Sequence, residues 1–302
     1  MFRRLNYKCH FCASCEGKGC ISELPGMGGV FENGNFQANV LAWKKFSEKF
    51  GLQKNDNLAF ASKIPVRLAP ITGAIENIGY QDERSFYFDM IISCCQADIP
   101  ISIGDGCPDE KILAGIDAVK AANKSYPRTK AAVFIKPYPN SKILQRVEWA
   151  SDVAEIIGVD IDAYNIVTMR NLVQLEKKSV EQMKNLRDSI NVPFAIKGVF
   201  TKEDVELVEQ VKPDIVVVSN HGGRIETNRG SSADFLQQYG TRLKSCSGQV
   251  WVDGGIRSFC DVAIAAKLGA SEVMVGRPFI SALCKDGVKG VITEAKKLCN
   301  QF

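Results

Sequence analysis

Residues 249–279 read QVWVDGGIRSFCDVAIAAKLGASEVMVGRPF. The stretch holds one complete strand–helix–strand unit. QVWVD (249–253) and SEVMVG (271–276) are short apolar runs rich in β-branched residues, and SFCDVAIAAKLG (258–269) between them spaces its apolar residues as a helix does. That helix opens on Ser258 with Asp261 three residues on, a capping-box start. Strands apolar almost throughout are buried on both faces, which requires parallel strands joined by helical crossovers. Each strand ends on a glycine turn that carries an arginine, DGGIR (253–257) and GRPF (276–279).

The same alternation extends back toward Leu52. Six earlier runs match: VRLAP (66–70), PISIG (100–104), AAVFIK (131–136), EIIGVD (155–160), PFAIKG (193–198) and DIVVVS (214–219). Helical patterns lie between them, as in PDEKILAGIDAVKAANK (108–124), SVEQMKNLRDSI (179–190) and TKEDVELVEQV (201–211). Eight β–α units in roughly 235 residues predict a (β/α)8 TIM barrel. The rival, an open doubly wound sheet, carries a Gly-rich fingerprint after its first strand. Here the first run leads instead into ITGAIENIG (71–79).

Composition sets broad limits. The chain has 302 residues, 45% hydrophobic and 24% charged, which suits a folded protein with a sizeable core. Its 38 basic and 34 acidic residues leave a net charge of +4, no nucleic-acid footprint. No apolar run is long enough for a membrane span. The basic start MFRRLNYKCHFC (1–12) lacks the apolar stretch of a secretory signal. Eleven cysteines, an odd total, without an export signal argue for a reducing compartment, so a cytoplasmic location is expected.

Residues 1–52 read as a small Cys-rich N-terminal extension with a helix at 36–50, and 53–302 as the barrel. Cys9, Cys12, Cys15 and Cys20 have two, two and four residues between successive members. Thiolates spaced by two residues converge on one metal. Three in a row are similar to the run that holds a [4Fe–4S] cluster, with a fourth ligand close by. A zinc site, with His10 able to replace one sulfur, and a metal-free leader are the alternatives left open. The other seven cysteines sit in apolar or helical contexts and read as small buried hydrophobes.

In a (β/α)8 barrel the chemistry is built at the C-terminal ends of the strands. Here those ends are polar. Strand 4 ends on Asp160, with Asp162 just after, and strand 5 on Lys197. Strand 6 ends on Ser219, Asn220, His221, Gly222, Gly223 and Arg224. The glycine-and-arginine turns after strands 7 and 8 suit a phosphate, because bare backbone N–H groups can approach it and an arginine adds charge-assisted bonds. Of the two histidines, His10 and His221, only the second lies in the barrel, and an imidazole suits a general base near neutrality. Asp160 is the carboxylate expected to hold that ring. Arg224 suits bidentate capture of a carboxylate. A lysine ending a buried strand, as Lys197 does, needs an anion or an electron-rich ring beside it.

The strings IKGVFTKEDV (196–205), VVVSNHGGR (216–224), VDGGIRSFCDVAIAAKLGA (252–270) and VMVGRPF (273–279) resemble the FMN-dependent α-hydroxy-acid oxidase/dehydrogenase family, which includes glycolate and lactate oxidases. SNHGGR with DGGIR and GRPF is a specific combination. The N-terminal half is similar more thinly, through LAPITG (68–73) and GVDID (158–162). The Cys-rich leader resembles that of a bacterial subgroup of α-hydroxy-acid oxidising proteins.

The resemblance implies an FMN-binding barrel in which His221 is the base, Asp160 its charge partner and Arg224 the ligand of the substrate carboxylate. Lys197 would sit by flavin N1 and O2. Ser219, Pro70, Ile71 and Thr72 would contact the ring system, while Asp253, Gly254, Gly255, Arg257, Gly276 and Arg277 would hold ribityl and phosphate. Lys136 ends strand 3, where the family has a substrate-lining tyrosine, and is counted with the cofactor contacts. The implied reaction oxidises an L-2-hydroxy acid to a 2-oxo acid by hydride transfer to flavin N5. The electron acceptor stays open, although a cluster on the cysteines would favour a dehydrogenase over an oxidase. Such barrels often form homo-tetramers. The chain departs from the family in lacking a second arginine after strand 4, with Arg170 out of register, and in a short segment between Asp160 and Lys197. The missing second arginine and the altered end of strand 3 keep an alternative, a non-redox flavoenzyme resembling type 2 isopentenyl-diphosphate isomerase.

Overall fold

The computed structural model describes residues 34–52, 64–78, 80, 82–165, 173–225 and 228–300. Cys9, Cys12, Cys15, Cys20, His10 and Arg170 lie outside the described residues. Eight strands follow one another: β1 Val66–Leu68, β2 Ile101–Gly104, β3 Ala131–Ile135, β4 Ala154–Asp160, β5 Phe194–Val199, β6 Ile215–Val218, β7 Gln249–Asp253 and β8 Glu272–Val275. Their hydrogen-bonded order is β1-β8-β7-β6-β5-β4-β3-β2, every pair parallel. Leu68 N donates to Pro100 O at 2.9 Å across the remaining gap between β1 and β2. The sheet is thus a nearly closed (β/α)8 barrel, as the alternation predicts.

Helix α1 (Gly34–Phe50) precedes the barrel. Between successive strands come α2 (Glu83–Ala97), α3 (Glu110–Ser125), α4 (Asn140–Ala150), α5 (Val180–Ser189), α6 (Lys202–Val211), α7 (Ser232–Lys244) and α8 (Phe259–Lys267), and α9 (Arg277–Cys299) follows β8. Ser258 closes the capping box expected of it with Asp261, and Thr201 and Ser179 close two more with Asp204 and Gln182. Among the described residues no helix is long and apolar enough to cross a membrane.

Two apolar layers follow from the two-residue period of a strand. One side of the strands packs on the helices in the main core, which α1 joins through Phe36, Trp43 and Phe46. The other side fills the barrel with Ala132, Phe134, Ile156, Ala195, Ile215, Val217, Trp251 and Met274. The seven described cysteines are free, and Cys94 is fully buried among the core residues.

The N-terminal end of the barrel is closed by a charged plug. Arg67 is buried, stacks 4.9 Å over the Trp251 ring, donates to Ile101 O and Glu155 Oε1, and pairs with Glu272. The C-terminal end is left for the polar residues.

Candidate active site

In β3, β5, β6 and β7 the inward face continues two residues on into a polar side chain. Phe134 is followed by Lys136, Ala195 by Lys197, Val217 by Ser219 and Trp251 by Asp253. Strand parity therefore gathers these groups at one rim. The cleft they surround measures about 950 Å³ including its open mouth. Of the described barrel residues singled out from the sequence for the site, all but Asp162, Ser219, Asn220 and Gly223 line it, and Gly104, Phe134 and Met274 add an apolar floor. Ser219 is fully buried behind the wall. Its hydroxyl donates to Asp253 Oδ2 at 2.8 Å and accepts from His221 N at 3.1 Å, so it braces two site residues instead of facing a ligand.

Asp160 binds two ammonium groups. Lys136 Nζ donates to its Oδ2 at 2.9 Å and Lys197 Nζ to its Oδ1 at 3.0 Å. Lys197 also lies 3.6 Å from Asp253 Oδ2. Burial disfavours the charge on Lys197, but Asp160, Asp253 and Asp162 outweigh it and raise its pKa, so it stays protonated. Burial pushes Asp160 upward too. His221, where acid protonates it, and the two lysines outweigh that and hold it well below the usual carboxylate range.

His221 lies within ion-pair reach of Asp160, as expected, and a second carboxylate that the sequence did not assign to the ring shares it. His221 Nδ1 lies 3.5 Å from Asp160 Oδ2 but 3.0 Å from Asp162 Oδ1. Asp162 sits in the 3₁₀ turn Ile161–Asn165 that follows β4. It reaches His221 because Gly198, at φ +92°, has no Cβ; one built there would lie 2.5 Å from Asp162 Cγ. Burial, aided by Lys197, Lys136 and Arg224 and opposed by Asp160, depresses the His221 pKa well below its ordinary value. Burial and the neighbouring Asp160 push Asp162 well above the carboxylate range. Asp160, Asp162 and His221 offer ligand atoms within 4.8 Å of one another. Two lysines already neutralise Asp160, however, which suits a hydrogen-bonded imidazole and not a cation.

Other positioning groups carry no local sequence signal. Asp105 Oδ2, at the end of β2, accepts from Arg146 Nε at 3.0 Å and Lys136 N at 3.2 Å, fixing the strand end that carries Lys136. On the other side α1 straps the loops after β6 and β7. Asn39 and Asn220 exchange amide hydrogen bonds at 2.7 and 3.1 Å, and Trp43 Nε1 donates to Gly254 O at 2.8 Å. Asn220 Oδ1 also accepts from Gly223 N at 2.9 Å, which shapes the turn carrying His221.

At the end formed by β7 and β8, Arg257 and Arg277 line the cleft. Arg277 lies 4.3 Å over the Phe36 ring and donates to Gly222 O at 3.1 Å. Helix α9 starts here on Gly276 with no side-chain cap, unlike α5, α6 and α8.

Known proteins share this architecture. Bovine 2-hydroxyacid oxidase 2 is 30% identical over 192 residues, 54% of each chain, and the rat protein of that name is 40% identical over 110 residues, 35% of this chain and 31% of that one. An Amycolatopsis orientalis 4-hydroxymandelate oxidase is 38% identical over 113 residues, 37% and 31% of the two chains. The chain thus spans between about a third and a half of the length of these curated relatives. A solved mandelate oxidase variant superposes with a TM-score of 0.64 at 21% identity, over 89% of this chain and 84% of its own, which bears on the fold alone. The sequence profile described as FMN-dependent dehydrogenase matches residues 116–302. With the greater part of the barrel inside that match, the chain belongs to the FMN-dependent dehydrogenase family.

Proposed function

We propose that the protein is an FMN-dependent oxidoreductase that converts an L-2-hydroxy acid to the 2-oxo acid. The observation that carries this reading is His221. Its imidazole is kept neutral at the cleft wall, with Nδ1 against a carboxylate and Arg224 three residues on. FMN, when bound, supplies the hydride acceptor and the redox chemistry. The protein supplies orientation, charge and the proton acceptor. Arg224 holds the substrate carboxylate, and His221 takes the proton from the α-hydroxyl.

The residues present fit the cofactor. Asp253 Oδ1 is buried in the cleft wall without a hydrogen-bond partner among the described residues, and a hydroxyl-bearing ribityl chain would satisfy it. The uncapped start of α9 with Arg257 and Arg277 suits the phosphate. Pro70, Ile71 and Thr72 line the cleft where the ring system is expected, and Lys197 presents a fixed cation. The names of the relatives, 2-hydroxyacid oxidase and 4-hydroxymandelate oxidase, support the substrate class.

Cys9, Cys12, Cys15 and Cys20 are proposed to hold a metal, an iron–sulfur cluster or zinc, on the strength of their spacing. The described chain resumes at Gly34, in a helix whose Phe36 packs against Gly223 beside the site. An iron–sulfur cluster on these cysteines would offer reduced flavin a one-electron acceptor. A reducing, cytoplasmic setting suits such thiolates.

The test uses the yellow protein, purified without oxygen and mixed with a panel of L-2-hydroxy acids. Bleaching of the flavin band by one of them is expected. His221→Ala should retain FMN and lose bleaching by on the order of 10²–10⁴-fold, the contribution of a general base. Failure of every acid to bleach the flavin would overturn the proposal. Metal and sulfide analysis of the same sample decides the cysteine site.

A further inference from the structure

We propose that Asp162, and not the strand-end Asp160, is the positioning residue that fixes the tautomer and orientation of His221. The inference rests on the proposed role of His221 as base and adds how that base is prepared.

Three observations point the same way. Asp162 Oδ1 stands 3.0 Å from His221 Nδ1, while Asp160 stands 3.5 Å away. Both oxygens of Asp160 are already engaged, one by each lysine. The space that Asp162 occupies exists only because residue 198 is glycine, since a Cβ there would lie 2.5 Å from Asp162 Cγ and 2.7 Å from its Oδ1. A side chain of no consequence to the ring would not need that vacancy beneath it.

The division of labour follows. Asp160 anchors two cations and stays ionised. Asp162 accepts the Nδ1 proton of the neutral ring, which leaves the Nε2 lone pair to take the substrate hydroxyl proton. After that transfer the ring carries both protons, and Asp162 stabilises its charge. The groups facing the ring are Lys136 from β3, Asp160 from β4, Asp162 from the turn after it, Lys197 from β5, Asp253 from β7 and Arg224 from its own loop. In acid, Asp162 and the ring together hold one proton too many for base catalysis. The pair loses it as a unit as pH rises.

The chain has two histidines, so ¹⁵N-histidine NMR of the flavin-loaded protein is readable, with His221 assigned by its loss in His221→Gln. Titrated upward from mild acid, wild-type His221 is expected to settle with Nδ1 protonated and Nε2 bare. Asp162→Asn should move the ring toward the Nε2–H form, and Asp160→Asn should leave it Nδ1–H. With a bleaching acid, Asp162→Asn should slow flavin reduction on the order of 100-fold or more. Its acid limb should move to lower pH, because the ring left behind is itself held low. A wild-type ring in the Nε2–H form at alkaline pH would overturn the proposal even if no variant folds. So would a ring indifferent to Asp162→Asn, or one that Asp160→Asn moves as much. The tautomer measurement needs no substrate. A failed substrate panel therefore removes the functional reading and leaves this one to be decided on its own.

Discussion

Asp162 binds a proton in the folded protein over a range where the unfolded chain does not. Its unfolded carboxyl titrates near 4, while burial and Asp160 raise the folded value well above that. Between the two, folding takes up a proton, so stability falls as pH rises through the window. Asparagine has no such titration. Relative to wild type, Asp162→Asn should therefore gain stability as pH rises, by up to about 1.4 kcal/mol per pH unit across the window. His221 works in the opposite sense, its folded value being depressed: stability grows as pH rises through the ordinary imidazole range, and does so in both proteins. Urea midpoints measured at a series of pH values give the difference directly. Parallel curves would show that the carboxyl is not raised. Lys197 sets the scale of this balance, since it is a fixed cation that faces Asp160, Asp253 and Asp162 together.

At the scale of elements, α1 is the piece that turns a barrel into a site. Its Asn39 contacts Asn220 and Ser232 across more than 180 residues of sequence. Asn39→Ala leaves the buried amide of Asn220 short of partners, which costs about 1–3 kcal/mol. Because Asn220 Oδ1 also shapes the Gly223 turn, the same variant should weaken FMN retention, measured by flavin released on dilution, before it unfolds the barrel. Retention unchanged at equal destabilisation would make α1 a support only. This arrangement also shows what the sequence can and cannot carry. The strands were legible because burial on both faces leaves an unbroken apolar signature, as in IVVV of β6. The rim residues were legible because strand ends have a fixed parity. The strap, the Asp105–Arg146 brace and the choice between Asp160 and Asp162 were not. Each depends on two distant segments meeting, or on one backbone angle at Gly198, and neither leaves a periodic trace.

For the molecule as a whole, the barrel separates stability from chemistry along its axis. Both ends hold buried charge, but in different company. At the C-terminal rim the lysines and carboxylates face an open cleft and a ligand. At the N-terminal end Arg67 faces Glu272, Glu155 and the Trp251 ring, away from the cleft. Arg67 also donates to Ile101 O, across the seam where β1 and β2 share few backbone bonds. Removing it strands a buried Glu272 carboxylate and loosens the closure together, a loss of about 3–5 kcal/mol. Replacing both partners, as in Arg67→Met with Glu272→Leu, keeps the volume apolar and should recover most of that loss, since a buried ion pair contributes little over a well-packed apolar one. Neither change touches the cleft. The expected result is therefore a lower urea midpoint for Arg67→Met, its recovery in the double variant, and an unaltered flavin spectrum in both wherever they are folded. A changed spectrum in folded Arg67→Met would mean that the plug sets the spacing of the rim through the strands, and the two ends would then have to be treated as one mechanical unit.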